Sequence, residues 1–160
     1  MGITALASAL LALAILALSA CATNTTYTAP PDPTPVIGVQ ITGRNGECTD
    51  VQDGATADGS PVVVFQCHGS PNERWFIKSG VISENYGSCL DVQGGVMADG
   101  APIVLVTCTG TLSQQWSIVD GQIVGLGGKC LSETADSAAN GTPLVLSTCK
   151  STPGQLWTIF

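Results

Sequence analysis

Cys48, Cys89 and Cys130 recur at intervals of 41 residues, and so do Cys67, Cys108 and Cys149. Trp75, Trp116 and Trp157 keep the same step, as do Pro61, Pro102 and Pro143, Gly59, Gly100 and Gly141, and Ile77, Ile118 and Ile159. No insertion or deletion separates the copies. Self-similarity at one fixed period marks a repeat architecture and has to be read before anything else. A unit of about forty residues cannot bury its own apolar face, so three copies must close around a common core.

Each copy reads as short strands between turns. In the first, Val39-Gln40-Ile41 alternates and ends at Gly43, and Cys48 to Val51 follows the turn at Asn45-Gly46. Asp58-Gly59 signals another turn, and Pro61 limits what can precede the strand Val62 to Gln66. Alternation puts Val62 and Val64 on one face of that strand and Val63 and Phe65 on the other. Arg74 to Lys78 is the fourth strand, with Trp75 and Ile77 pointing the same way. Residues 36–160 show no helical apolar period of useful length. Four strands in three copies predict about twelve. The period also suits a three-bladed propeller, but propellers have four blades or more. An all-β, pseudo-threefold β-trefoil is the expected fold.

The pattern within each copy is Cys-x-Asp-Val, an Asp/Asn-Gly turn, an apolar strand ending in Cys, then Gln-x-Trp. The sequence supplies Cys48-Thr49-Asp50-Val51, Cys89-Leu90-Asp91-Val92 and Cys130-Leu131-Ser132-Glu133. It then supplies Glu73-Arg74-Trp75, Gln114-Gln115-Trp116 and Gln155-Leu156-Trp157. This resembles the ricin B-chain lectin family and family 13 carbohydrate-binding modules, over residues 37–160. The resemblance implies a non-catalytic sugar-binding module without a cofactor, with glycans of galactose or xylose type as partners.

Six cysteines allow fifteen pairings. The threefold repeat and the resemblance favour one bridge per copy: Cys48–Cys67, Cys89–Cys108 and Cys130–Cys149. Each would close a loop short enough to stabilise the fold by about 3 kcal/mol. A metal site is the poorer reading: the cysteines lack close Cys-x-x-Cys spacing and His68 is the single histidine. The three tryptophans share a strand face with Ile77, Ile118 and Ile159, which places them in the core and not under a sugar.

A sugar pocket needs a carboxylate to accept from hydroxyls, an amide to complete the pattern, and an aromatic ring beneath the C–H face. The resemblance assigns these to the Asp after the first Cys, an aromatic two residues before the second, and the residues at and before Gln-x-Trp. The first copy offers Asp50, Phe65, Asn72 and Glu73. Asp50 and Glu73 in one pocket repel unless a hydroxyl, Arg74 or a proton intervenes. The second copy offers Asp91, Ser113 and Gln114, with Val106 in the aromatic position. The third keeps only Gln155, having Ser132, Ser147 and Gly154 at the other places, and is expected not to bind. Val63, Val104 and Val145 stand where galactose-binding members often carry a polar residue. His68 lies at the pocket margin.

The chain has 160 residues, enough for one domain, with 5 Lys+Arg against 12 Asp+Glu and a net charge of -7. Such a chain is repelled by nucleic acid and by anionic lipid headgroups, which excludes both as partners. Seven cysteines point to an oxidising compartment, but an odd count does not fit a disulfide framework. The N-terminus accounts for it. Residues 1–20 read as a signal peptide, although they contain no Lys or Arg. Leu18-Ser19-Ala20-Cys21 resembles a lipobox, which makes Cys21 a lipidation site and a lipid there the sole route to a membrane. The expectation is an exported protein: a cell-surface or outer-membrane lipoprotein if bacterial, otherwise secreted. Residues 21–36 read as a Thr/Pro-rich linker. In a eukaryotic secretory context Asn24-Thr25-Thr26 and Asn140-Gly141-Thr142 are glycosylation sequons.

Two other functions compete with sugar binding. A glycosidase needs only two carboxylates at the right separation, but no catalytic motif accompanies them. A protein-binding or inhibitory trefoil fits the erosion of the second and third sites.

Overall fold

In a computed structural model, residues 38–84 and 87–160 are described. The signal peptide, Cys21, the linker and the first sequon lie outside them.

The described chain is all β-strand and turn. Twelve strands follow one another in groups of four. The first repeat holds Ile41–Gly43 (β1), Glu47–Val51 (β2), Ser60–Gln66 (β3) and Phe76–Lys78 (β4). The second holds Val81–Ser83 (β5), Ser88–Val92 (β6), Ala101–Thr107 (β7) and Ser117–Val119 (β8). The third holds Gln122–Val124 (β9), Cys130–Glu133 (β10), Thr142–Ser147 (β11) and Trp157–Ile159 (β12). Single 3-10 turns lead into each Gln-x-Trp segment, at Pro71–Glu73, Leu112–Gln114 and Pro153–Gln155.

All pairing is antiparallel. The short strands β12–β1, β4–β5 and β8–β9 form three hairpin-like pairs. Backbone bonds exchanged by Val39 and Trp75, and donated by the Trp116 and Trp157 amides to the Gly80 and Gly121 carbonyls, close them into a ring. The longer pairs β2–β3, β6–β7 and β10–β11 are hairpins within each repeat. Their second strands meet one another: β3 with β7, β7 with β11, β11 with β3. A closed ring of six short strands with a triplet of hairpins is a β-trefoil.

The threefold symmetry is carried in the core by residues 41 apart. Ile41, Ile82 and Ile123 form one set, Val62, Ile103 and Leu144 a second, and Val64, Leu105 and Leu146 a third, all buried. The three tryptophans are buried as well, and each indole Nε1 donates to a backbone carbonyl 26 residues earlier, of Thr49, Leu90 and Leu131. A buried indole N–H needs such a partner, so this bond sets the side chain's direction. Of the isoleucines sharing the tryptophan face, Ile77 and Ile159 pack against the core. Ile118 instead lies 47% exposed, because every residue of β8 is exposed.

The repeats are joined by their turns. Asp58 of the first repeat accepts from the Thr107 amide of the second at 2.6 Å. Asp99 of the second accepts from the Thr148 amide of the third at 2.9 Å. Asn140 of the third accepts from the Gln66 amide of the first at 2.7 Å, completing the circle. The adjacent glycine amides of Gly59, Gly100 and Gly141 donate across the same junctions at 2.8 Å. These turn residues are the clasps of the trefoil. Each prolyl residue expected to precede a strand lies inside one, second in β3, β7 and β11. There it faces a strand of the next repeat, as Pro61 faces Val104.

The disulfides are Cys48–Cys67, Cys89–Cys108 and Cys130–Cys149, with Cα–Cα distances of 5.1, 5.0 and 5.1 Å. Each ties the first strand of a hairpin to the segment just beyond its second.

Candidate functional site

The outer face of the β2–β3 hairpin carries the side chains that do not enter the core. Thr49 and Val51 turn inward on β2, as Val62 and Val64 do on β3, so Asp50, Val63 and Phe65 share the opposite face. Asp50 is paired directly with Val63. Over this face opens a cleft of about 370 Å³, lined by Asp50, Val63, Phe65, His68 and Asn72, with the turn Gln52-Asp53-Gly54 on one side. Gly141 of the third repeat completes the rim.

Asn72 is aimed by its 3-10 turn at the carboxylate. Its Nδ2 donates to Asp50 Oδ1 at 2.8 Å and to the Val51 carbonyl at 3.1 Å. Asp50 Oδ2 has no hydrogen-bond partner among the described residues. His68 Nε2 stands 3.8 Å from it, too far to bond. The Asp50 carboxyl is pushed up to about 6, chiefly by burial; His68 and Asn72 pull it down and the Glu73 charge raises it further. Phe65 is 38% exposed, and the His68 ring lies beside it at 5.8 Å and a 34° tilt. An aromatic face, a carboxylate and an amide therefore meet in one opening.

Glu73 departs from its expected place. It is fully buried, does not line the cleft, and braces the loop after the second cysteine. Its carboxylate accepts from the amides of His68 and Gly69, each at 2.8 Å, and from His68 Nδ1. Gln114 does the same in the second repeat, accepting from Thr109 and Gly110 amides at 2.8 and 3.0 Å and donating to the Thr107 carbonyl at 3.0 Å. Gln155 repeats the arrangement with Lys150 and Thr148. A residue needed by two loop amides cannot be spared for a ligand, because leaving buried donors unpaired is costly. The first position of Gln-x-Trp is thus a loop brace: Glu73 and Gln114 are fully buried and bonded to loop amides.

His68 lies between Asp50 and Glu73 and offsets part of the repulsion between them. Asp50, His68 and Glu73 offer donor atoms within 4.8 Å of one another. Glu73 is already committed to two amides and the imidazole, so His68 is bonded to Glu73 while Asp50 stands beside it unbonded.

Residues 37–157 match the family model of the ricin-type beta-trefoil lectin domain. The chain belongs to the ricin-type β-trefoil lectin family. The designed threefold-symmetric protein ThreeFoil is similar at 25% identity, over 76% of this chain and 96% of its own, with a TM-score of 0.70. The agglutinin of Abrus precatorius is similar at 30% identity over 76% of this chain and 47% of its own, with a TM-score of 0.68. A non-toxic homologue of type II RIPs from Momordica charantia, solved with α-methyl-D-galactoside, is 26% identical over 76% of this chain and 46% of its own, with a TM-score of 0.67. The lectin domain thus spans about half of these two plant chains. No curated protein matches the sequence.

The other two repeats of the lectin domain are altered at the corresponding place. Asp91 is buried and paired with Val104, as Asp50 is with Val63. Ser113 bonds to Thr111 at 3.0 Å, and Val106 provides no ring. In the third repeat Ser132 bonds the Glu133 carbonyl and Ser147 replaces the aromatic. A cleft of about 430 Å³ remains, and Asp136 reaches across it to Thr152 at 2.6 Å and to the Gly154 amide at 3.2 Å. A Cβ on Gly154 would stand 2.7 Å from that carboxylate, so Asp136 occupies the space of the missing Asn side chain.

Sequence reasoning missed the contributions of Gln52, Asp53 and Gly141. Asp53-Gly54 was readable as a turn; Gly141 was not, since it arrives from another repeat.

Proposed function

We propose that this lectin domain binds glycans through the cleft of the first repeat, without catalysis. The observation that carries the reading is the convergence of Asp50, Asn72 and the exposed Phe65 face on one opening. A hydroxyl entering beside His68 would supply the partner that Asp50 Oδ2 lacks, while the C–H face of the ring rests on Phe65. Asp91 marks a weaker second site. Sugars of galactose or xylose type are the first to test. Export, with a lipid at Cys21, fits three disulfides in so short a domain. Surface clustering would then multiply a weak single-site affinity.

A glycan array probed with the protein and with Asp50→Ala and Asp91→Ala tests the proposal. Binding should fall sharply with Asp50→Ala and slightly with Asp91→Ala. Binding that survives both changes overturns the site. Failure to bind any glycan favours a protein-binding trefoil, and hydrolysis of a bound glycan restores the enzyme reading. Mass spectrometry of the mature N-terminus tests Cys21; an unmodified terminus or cleavage elsewhere rules out the lipid.

A further inference from the structure

Beside the first cleft lies a second, of about 340 Å³, lined by Gly54, Thr56, Ser70, Pro71, Asn72 and Glu84. Gly54 and Asn72 line both openings. Asn72 is therefore the ridge between them, with its Nδ2 committed to the Asp50 side.

Glu84 comes from the second repeat, just past β5. It is 6% exposed, yet its Oε1 has no hydrogen-bond partner among the described residues. A buried acceptor without a partner is rare enough to require an explanation. The repeat pattern sharpens the point, because the positions 41 residues to either side are Gly43 and Gly125. There the space is filled: a Cβ on Gly43 would meet the Glu47 and Glu133 carboxyl groups, and one on Gly125 the Trp116 ring. At the first repeat's edge alone, among the three, the residue at this position itself carries the carboxyl group, and there it lines the second cleft. The other two repeats fill the same space from elsewhere, so the repeat does not call for a carboxyl group at this position.

We infer that the second cleft is a subsite for the next sugar unit of an oligosaccharide, with Glu84 bonding a hydroxyl of that unit. The inference rests on the proposed glycan binding and specifies its ligand as a disaccharide or longer, neutral glycan lying across Asn72. Pro71 offers the apolar contact, and Thr56 and Ser70 offer hydroxyls. Burial, and secondarily the Asp50 charge, push the Glu84 carboxyl up to about 7. Near neutral pH it both donates and accepts, which suits a hydroxyl partner.

Calorimetry on the full chain with methyl α-D-galactoside, lactose and β-1,3-galactobiose, and with xylose and xylobiose, tests this. A disaccharide should bind at least tenfold tighter than its monosaccharide. Glu84→Ala should cut that advantage at least fivefold and leave the monosaccharide Kd within twofold. Glu84→Gln, which keeps shape and hydrogen bonding, should retain most of the advantage. The exposed Thr56→Ala provides a second reading if Glu84→Ala does not fold, with an expected threefold loss confined to disaccharides. Monosaccharide binding without a disaccharide gain, or a gain that survives Glu84→Ala and Thr56→Ala, overturns the subsite alone. No binding of either class overturns the glycan proposal and the subsite with it.

Discussion

Asn72 donates to one oxygen of Asp50 at 2.8 Å, and the other oxygen of Asp50 is buried without a partner. Asn72 thus orients the carboxylate while leaving it an unused acceptor. Only the ionised form accepts on both oxygens, and its carboxyl titrates at about 6. Monosaccharide affinity should be flat above pH 7 and fall as pH drops through 6. At pH 5 about a tenth of the sites remain ionised, so the Kd should be about tenfold weaker than at pH 8. Calorimetry across that range checks it; a flat profile would remove Asp50 from the contacts.

Phe65 is exposed enough to contribute little to the core. Phe65→Ala should therefore leave the melting temperature nearly unchanged and weaken glycan binding by about 1 kcal/mol, roughly fivefold. The converse change, Val106→Phe, should strengthen the second repeat. Parallel thermal melts and titrations separate the two effects.

Glu133 stands where the other repeats bury Val51 and Val92, and it shares its site with Glu47. Burial first, and Glu47 second, push its carboxyl from 4.5 to about 8. The folded protein therefore holds a proton that the unfolded chain releases between pH 4.5 and 8. Stability should decline as pH rises through that window. Glu133→Gln should raise the melting temperature at pH 8 by about 5 °C and have little effect near pH 4.5. Calorimetric scans at both pH values test this.

Asp58 and Asn140 make equivalent bonds across two of the three junctions, to the amides of Thr107 and Gln66. Asp58→Asn should be close to neutral, whereas Asp58→Ala should cost about 1 kcal/mol. Urea unfolding of the two variants provides the comparison; equal losses would show that the charge, and not the acceptor, matters.

The fold was legible because the repeat writes each core position three times. The sets beginning at Ile41, Val62 and Val64 are each confirmed by two copies at the same step. The cleft was legible only in part. Asp50, Phe65 and Asn72 project from one hairpin and its neighbouring turn, so strand alternation brings them together. The bracing role of Glu73 and Gln114 was not legible, because a polar residue beside a pocket looks the same in sequence whether it faces a ligand or a loop amide. Glu84 and Gly141 come from neighbouring repeats, and no spacing within one repeat points to them. His68 was visible but had no assigned task until Asp50 and Glu73 were placed on either side of it.

Gln40 and Phe160 exchange backbone hydrogen bonds at 3.1 and 3.0 Å, so the first and last strands of the trefoil run side by side. The polypeptide enters and leaves the domain through one doorway. Such a body can be slotted into a surface loop of a host protein without stretching it. It can also be rewired, with residues 160 and 38 joined by a short glycine linker and new termini cut at Asn45-Gly46. That permuted chain should fold and form the same three bridges.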